Sequence, residues 1–190
     1  MWWARLLNNI AGILAPQVPA PTNSYESIQT YTVGAGGQAT IDFTTIPSTY
    51  KHLQIRGIAL TTTGGRLITV KLNNDATSGN YTTHLISGEG TTAKANAFAT
   101  SQTYGRLFGL DVGTSTTYPT ALTLDLLDYA NTSKNKTLRT LSGSDTNGGG
   151  EVELSSNLWL STAAVSSITL GLNASTFAQY SSFALYGIKA

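Results

Sequence analysis

Residues 50–60, YKHLQIRGIAL, give the clearest indication of the fold. In this stretch the apolar Leu53 and Ile55 alternate with the polar Gln54 and Arg56. Alternation with a period of two is typical of a β-strand that buries one face. The region around it repeats the pattern, so the strand is the predicted building unit of most of the chain.

Short segments suited to β-strands lie on both sides of this one, and turns rich in Gly, Asn and Ser separate them. After residue 25 no segment has a convincing helical period, and no repeat at fixed spacing is visible. An all-β antiparallel sandwich or barrel is therefore predicted. The predicted strands are 27–33, 39–44, 50–60, 67–72, 81–87, 106–112, 121–129, 137–142, 151–160, 168–172 and 182–188.

The first fifteen residues, MWWARLLNNIAGILA, differ from everything that follows. Their apolar residues recur at helical spacing and predict a short amphipathic helix. Three prolines between residues 16 and 21 end this helix and make a stiff, extended linker. We therefore predict two segments, an anchoring helix with its Pro-rich linker at 1–24 and a β-domain at 25–190. The predicted anchoring residues are Trp2, Trp3, Leu6, Leu7, Ile10 and Leu14.

Three interpretations of the N-terminal helix are open. It could dock its Trp-rich face into a partner or a symmetry mate, pack onto the β-domain, or act as a signal peptide or membrane-surface helix. Asn8 and Asn9 interrupt the apolar run that a signal peptide needs. The segment is also shorter than the ~20 apolar residues of a membrane span, so none is predicted. We favour the anchor, because a helix of this length is marginal alone in water.

The composition excludes several classes of protein. The chain has no Cys, which rules out disulfide scaffolds and cysteine-ligated metal sites. A net charge of +1 with scattered basic residues gives no electrostatic footprint for nucleic acid. Only 11% of residues are charged, whereas 30 are Thr and 18 are Ser. A surface with few charged residues is poorly protected against association. We therefore expect much of the surface of this chain to be covered in an assembly.

The sequence gives little support for catalysis. The two histidines, His52 and His84, both lie in alternating strands, and no Gly-x-Ser-x-Gly motif accompanies them. Glu151 and Glu153 share a strand face with Asp145 nearby, and this cluster and the loop 73–80 are the metal candidates. Calcium sites combine six to eight oxygens with several carboxylates, so we interpret both segments as turns. No catalytic residue, metal or cofactor is predicted.

Glycan recognition is the alternative that the sequence supports best. Tyr118 and Trp159 lie near loops rich in Asn, Ser and Thr, so they are candidate aromatic contacts for a sugar. Packing in the core or at a subunit interface is the competing interpretation for each of these side chains.

Four stretches of the chain together resemble a recurrent module of tailed-bacteriophage virion proteins. They are 48–59 (STYKHLQIRGIA), 24–28 (SYESI), 128–132 (DYANT) with Lys134, and 177–189 (FAQYSSFALYGIK). The resemblance covers residues 24–189 and implies a jelly-roll-like β-domain on the particle surface, in a minor tail, fibre or decoration protein. It brings no catalytic motif, and the Trp-rich helix has no counterpart in it.

These observations predict a non-enzymatic structural component of a virion, exposed on the particle exterior. Capsid decoration, as a cement protein or head fibre, is favoured over the tail. The expected partners are the major capsid protein or a tail protein of the same virion, and two further copies of the chain in a homotrimer. The alternative is a tail or fibre adhesin that binds host glycan. A polysaccharide hydrolase that uses Glu151 or Glu153 ranks last.

Overall fold

The computed structural model describes residues 24–64, 67–109 and 112–189. The predicted N-terminal helix, its six anchoring residues and the prolines of the linker lie outside these ranges. Within them the regular secondary structure is entirely β. The strands are β1 (Tyr25–Thr32), β2 (Thr40–Phe43), β3 (His52–Ala59), β4 (Ile68–Leu72), β5 (Tyr81–Glu89), β6 (Thr92–Gln102), β7 (Gly105–Phe108), β8 (Thr120–Leu127), β9 (Lys136–Asp145), β10 (Gly150–Trp159), β11 (Ile168–Leu172) and β12 (Ser182–Ile188).

The strands form two antiparallel sheets. The large sheet has the order β1-β12-β3-β8-β9-β10-β5-β6, and the small sheet has the order β2-β11-β4-β7. Buried residues of both sheets belong to one hydrophobic core, as in a two-layer sandwich. The prediction of an all-β antiparallel sandwich is confirmed at this level.

The core follows from the alternation that predicted the strands. On β3 and β8 the inward residues are aliphatic, and register pairs Leu53 with Leu126 and Ile55 with Leu124. The small sheet contributes buried residues such as Ile68 and Leu170 from its central strands. Each fully buried aliphatic side chain of this kind contributes about 1.5–3 kcal/mol relative to exposure.

Eleven strands match predicted segments, whereas β6 was not predicted. Its sequence, TAKANAFATSQ, is rich in alanine and has no β-branched apolar residue, so its strand propensity is low. It forms because it pairs along β5, in a register that runs from the pair of Glu89 and Thr92 to the pair of Tyr81 and Gln102. β6 is an edge strand of the large sheet.

In the described ranges the structure contains no helix long and apolar enough to cross a bilayer.

Candidate functional site

The large sheet consists of two halves that differ in whether polar or apolar side chains face inward. The core half is β1, β12, β3 and β8, whose inward residues are mainly apolar. The inverted half is β9, β10, β5 and β6. On β10, Glu151 and Glu153 point inward and are 9% and 2% exposed, whereas Val152 and Leu154 point outward and are 56% and 47% exposed. Polar residues therefore occupy the interior here, and apolar residues occupy the surface.

The neighbouring strands show the same inversion. On β9, Ser142 and Ser144 are buried while Leu141, which precedes Ser142, is 57% exposed. On β5, Ser87 is buried while Ile86 is 58% exposed. At the other end of these three strands the inward residues are apolar again, namely Leu138, Tyr81 and Trp159.

Register joins the outward apolar residues into one continuous line. Leu141 is the partner of Leu154, Leu154 of Ile86, and Ile86 of Ala95. We call these four residues the outer apolar row. Val152 lies beside it, and a shallow depression of about 480 Å³ lies over this surface. Single exposed apolar residues are ordinary, but a contiguous apolar surface marks an interaction site.

The inner polar residues hold an edge strand of the small sheet. β7 is the last strand of that sheet, so backbone groups on its free side need other partners. Asn157 supplies two of them, because its Oδ1 accepts from the Arg106 amide at 2.8 Å and its Nδ2 donates to the Arg106 carbonyl at 2.9 Å. Ser155 also donates to the Arg106 carbonyl, and Ser142 donates to the Leu107 carbonyl at 3.0 Å. Polar residues face inward here because they bind this backbone.

Glu151 and Glu153 differ from these residues, because most of their carboxylate oxygens do not bind the backbone of β7. One oxygen of Glu153 accepts a hydrogen bond from the Gly109 amide at 3.1 Å. The other oxygen of Glu153 and both oxygens of Glu151 are buried and have no hydrogen-bond partner among the described residues. The spacing of two correctly predicted that the side chains share a face.

Burial is the main influence on the acidity of Glu153. It raises the pKa of this carboxyl to about 7, and the negative charge of Glu151 acts in the same direction. The hydrogen bond from Gly109 and the charge of Arg106 oppose the rise. Arg106 forms no ion pair with either glutamate in the described part of the chain. Its guanidinium instead lies 3.9 Å from the centre of the Phe98 ring.

A groove of about 970 Å³ runs between the β5–β6 turn and the β9–β10 hairpin. Glu89, Asp145 and Glu151 line it. Of these, Glu89 pairs with Lys94 at 2.6 Å. Among residues 24–64, 67–109 and 112–189, no three His, Cys, Asp or Glu side chains form a group that could hold a metal. The candidate binding groups at this end of the sheet are therefore the carboxylates of Glu151 and Glu153.

The structure separates the two candidate glycan contacts. Trp159 is 3% exposed, and its indole nitrogen donates to Asp75 at 2.6 Å, which favours the competing interpretation that this side chain packs in the core. The cause is the 73–80 turn, which folds back and places a carboxylate against the indole. Tyr118 is half-buried and precedes β8, and its role remains a prediction. The two lie at opposite ends of the sheet.

The two histidines also lie apart. The Nδ1 atom of His52 accepts a hydrogen bond from the Asp128 amide at 3.0 Å, which holds the ring at the end of β3. His84 is exposed on the outer face of β5 beside the outer apolar row.

Sequence reasoning missed the outer apolar row, although one signal was present. Residues 93, 95, 97 and 99 are all alanine, which is a period of two. In the structure Ala93, Ala95 and Ala97 pair with Gly88, Ile86 and His84. The alternation could have revealed β6 and the flat apolar surface that it extends.

No model of a protein family matches the chain, and no curated protein matches it. Among solved structures, one alignment is with the PL-14 alginate lyase of the marine mollusc Aplysia kurodai. It has a TM-score of 0.30 and 11% identity and covers 96% of this chain and 92% of that chain. A similarity of this size supports no conclusion about activity.

Proposed function

We propose that this chain is a structural component of a bacteriophage virion. In this proposal the jelly-roll-like β-domain is exposed on the capsid exterior, and residues 1–24 attach it to the major capsid protein. The resemblance of residues 24–189 to virion modules motivates the proposal. The observation that carries it is the outer apolar row, because a face of this kind needs a protein neighbour.

The proposed neighbour on the outer apolar row is a second copy of the chain, within a homotrimer. A net charge of +1 produces almost no repulsion between copies. The edge strand also carries small alanine side chains, so another sheet can approach closely. Four strands at ~4.8 Å spacing and six residues at ~3.3 Å rise present roughly 400 Å² here. That area is about half of one partner's share of a standard interface, so residues around the row must contribute as well.

The proposed role is not enzymatic. The carboxylate pair that a hydrolase would need is Glu151 and Glu153, and Glu153 is buried between the sheets where a polysaccharide cannot reach it. General acid–base catalysis requires both groups within reach of the substrate.

Particle incorporation tests this function. A tagged full chain and a variant without residues 1–20 are each produced in cells that assemble the particles, and purified particles are analysed by mass spectrometry. We expect the full chain in the particles and the truncated chain in the soluble fraction, folded but not incorporated. Absence of the full chain from particles would contradict the virion role, and normal incorporation of the truncated chain would contradict the anchor.

A further inference from the structure

We propose that Glu151 and Glu153 hold a divalent cation of the calcium type at the inner face of the β9–β10 hairpin. The proposal does not depend on a virion role. Its basis is a pair of carboxylates that are more than nine-tenths buried, with three oxygen atoms that lack a partner among the described residues. Glu151 also lines the groove between the hairpins, which gives the pair a route to solvent.

Two buried carboxylates side by side require neutralisation. An unpaired charge in a protein interior costs several kcal/mol, and like charges add to that cost. Within the described ranges, only one of the four carboxylate oxygens accepts a hydrogen bond, from the Gly109 amide. Something beyond the described residues must therefore compensate the other three.

A shared proton satisfies these oxygens incompletely. A proton on Glu153 can donate to Glu151, as in paired catalytic carboxylates. This hydrogen bond uses two of the three orphaned oxygens and leaves the third without a partner. A cation bound by both side chains would satisfy the third oxygen as well, because calcium accepts both mono- and bidentate carboxylates.

The basic side chain that acts on Glu153 through its charge does not fill the role either. Arg106 influences the titration of Glu153 through its charge, but it makes no ion pair with Glu153 or Glu151 in the described ranges. Its guanidinium is held over the Phe98 ring, and its Nε atom has no described partner.

The surroundings suit a hard, oxygen-binding cation. Register places Ser144 beside Glu151, and Ser142 and Ser87 on either side of Glu153. Serine hydroxyls and carboxylates are ligands for calcium and magnesium, whereas zinc prefers Cys and His. Asp145 on the groove wall adds negative charge that attracts a cation. With two carboxylates, the coordination shell must include hydroxyl, backbone or water oxygens.

Thermal unfolding of the full chain with and without calcium tests the site. The chain is compared in EDTA and in CaCl₂ at about pH 8, above the pKa of about 7 of Glu153. At calcium levels ~100-fold above the dissociation constant we expect the unfolding midpoint to rise by roughly 5–10 °C. Isothermal titration with CaCl₂ should give one ion per chain.

Two isosteric variants and a control define the outcome. Glu151→Gln and Glu153→Gln should lose the calcium-dependent rise, and in EDTA they should unfold no earlier than the parent chain, since each removes a buried charge. Asp125→Asn removes one carboxylate from the opposite face of the same sheet and should keep the full rise. The proposal is overturned if calcium leaves the parent midpoint unchanged, or if either glutamine variant responds as the parent does.

Discussion

The two halves of the large sheet bury different kinds of side chain. In the core half, inward residues such as Leu124 and Ile55 meet the small sheet, and the outer face carries polar residues such as Arg56. In the inverted half, Glu153 and Ser142 face inward, and Leu154 and Ile86 face outward.

The difference shows that the polarity of a strand face depends on what that face meets. Inward side chains of the core half share one hydrophobic core with residues of β4 and β11, the central strands of the small sheet, which are paired on both sides. Those of the inverted half meet β7, an edge strand, and Asn157 and Ser142 bind its backbone. The apolar side chains of the inverted half consequently lie on the surface.

Truncation of one leucine in each half should give the largest contrast. Leu124→Ala leaves a cavity in the core half and should lower the free energy of unfolding by about 2–5 kcal/mol. Leu154→Ala removes an outward side chain and should cost less than about 1 kcal/mol at protein concentrations too low for association. Urea unfolding monitored by circular dichroism measures both. Similar losses for the two variants would show that the halves are not different in this respect.

The buried carboxyl of the inverted half should make stability depend on pH. The folded chain retains the proton of Glu153 up to about pH 7, whereas an unfolded chain releases it near the ordinary value of 4.5. Because the folded state binds more protons between these values, stability should fall as the pH rises through this range, by about 3 kcal/mol. Urea unfolding in EDTA measures the trend.

Glu153→Gln isolates this contribution from that of other groups. The difference between parent and variant should grow from about pH 4.5 to 7 and then level off. A constant difference would show that Glu153 titrates normally in the folded chain.

Two glycine substitutions should give a smaller contrast. A Cβ atom at Gly57 would lie 2.4 Å from the Phe183 ring, so Gly57→Ala should destabilise the chain by about 1–3 kcal/mol. At Gly88 nothing lies within 4 Å, and Gly88→Ala should stabilise the strand by about 0.5–1 kcal/mol. Thermal unfolding of both variants, at protein concentrations too low for association, distinguishes the crowded interior from the open outer face. A loss of stability at Gly88 would contradict the open space around this position within one chain.

Most of the strand positions along the chain could be predicted from alternation and turn residues. The stretch 50–60 was predicted as a strand and contains β3 (His52–Ala59). β6 could not be predicted from propensity, because pairing with β5 determines it. The sequence of Glu151–Leu154 predicts a strand with two unlike faces, but it does not say which face is buried. That choice depends on β7, which is distant along the chain.

The candidate site was less predictable for the same reason. The spacing of Glu151 and Glu153 placed them correctly on one face, but their burial follows from packing against β7. Trp159 was predicted to contact a ligand because polar loops flank it in sequence. Its burial depends on Asp75, which contacts it across 84 residues of chain.

Sedimentation equilibrium of the full chain tests most directly whether the outer apolar row is an interface. We compare the parent chain with Leu154→Lys, in the row, and Ile58→Lys, on the outer face of the core half. The parent and Ile58→Lys should self-associate at micromolar concentrations, whereas Leu154→Lys should be a folded monomer. A parent chain that stays monomeric, or a Leu154→Lys chain that associates as the parent does, would contradict the account.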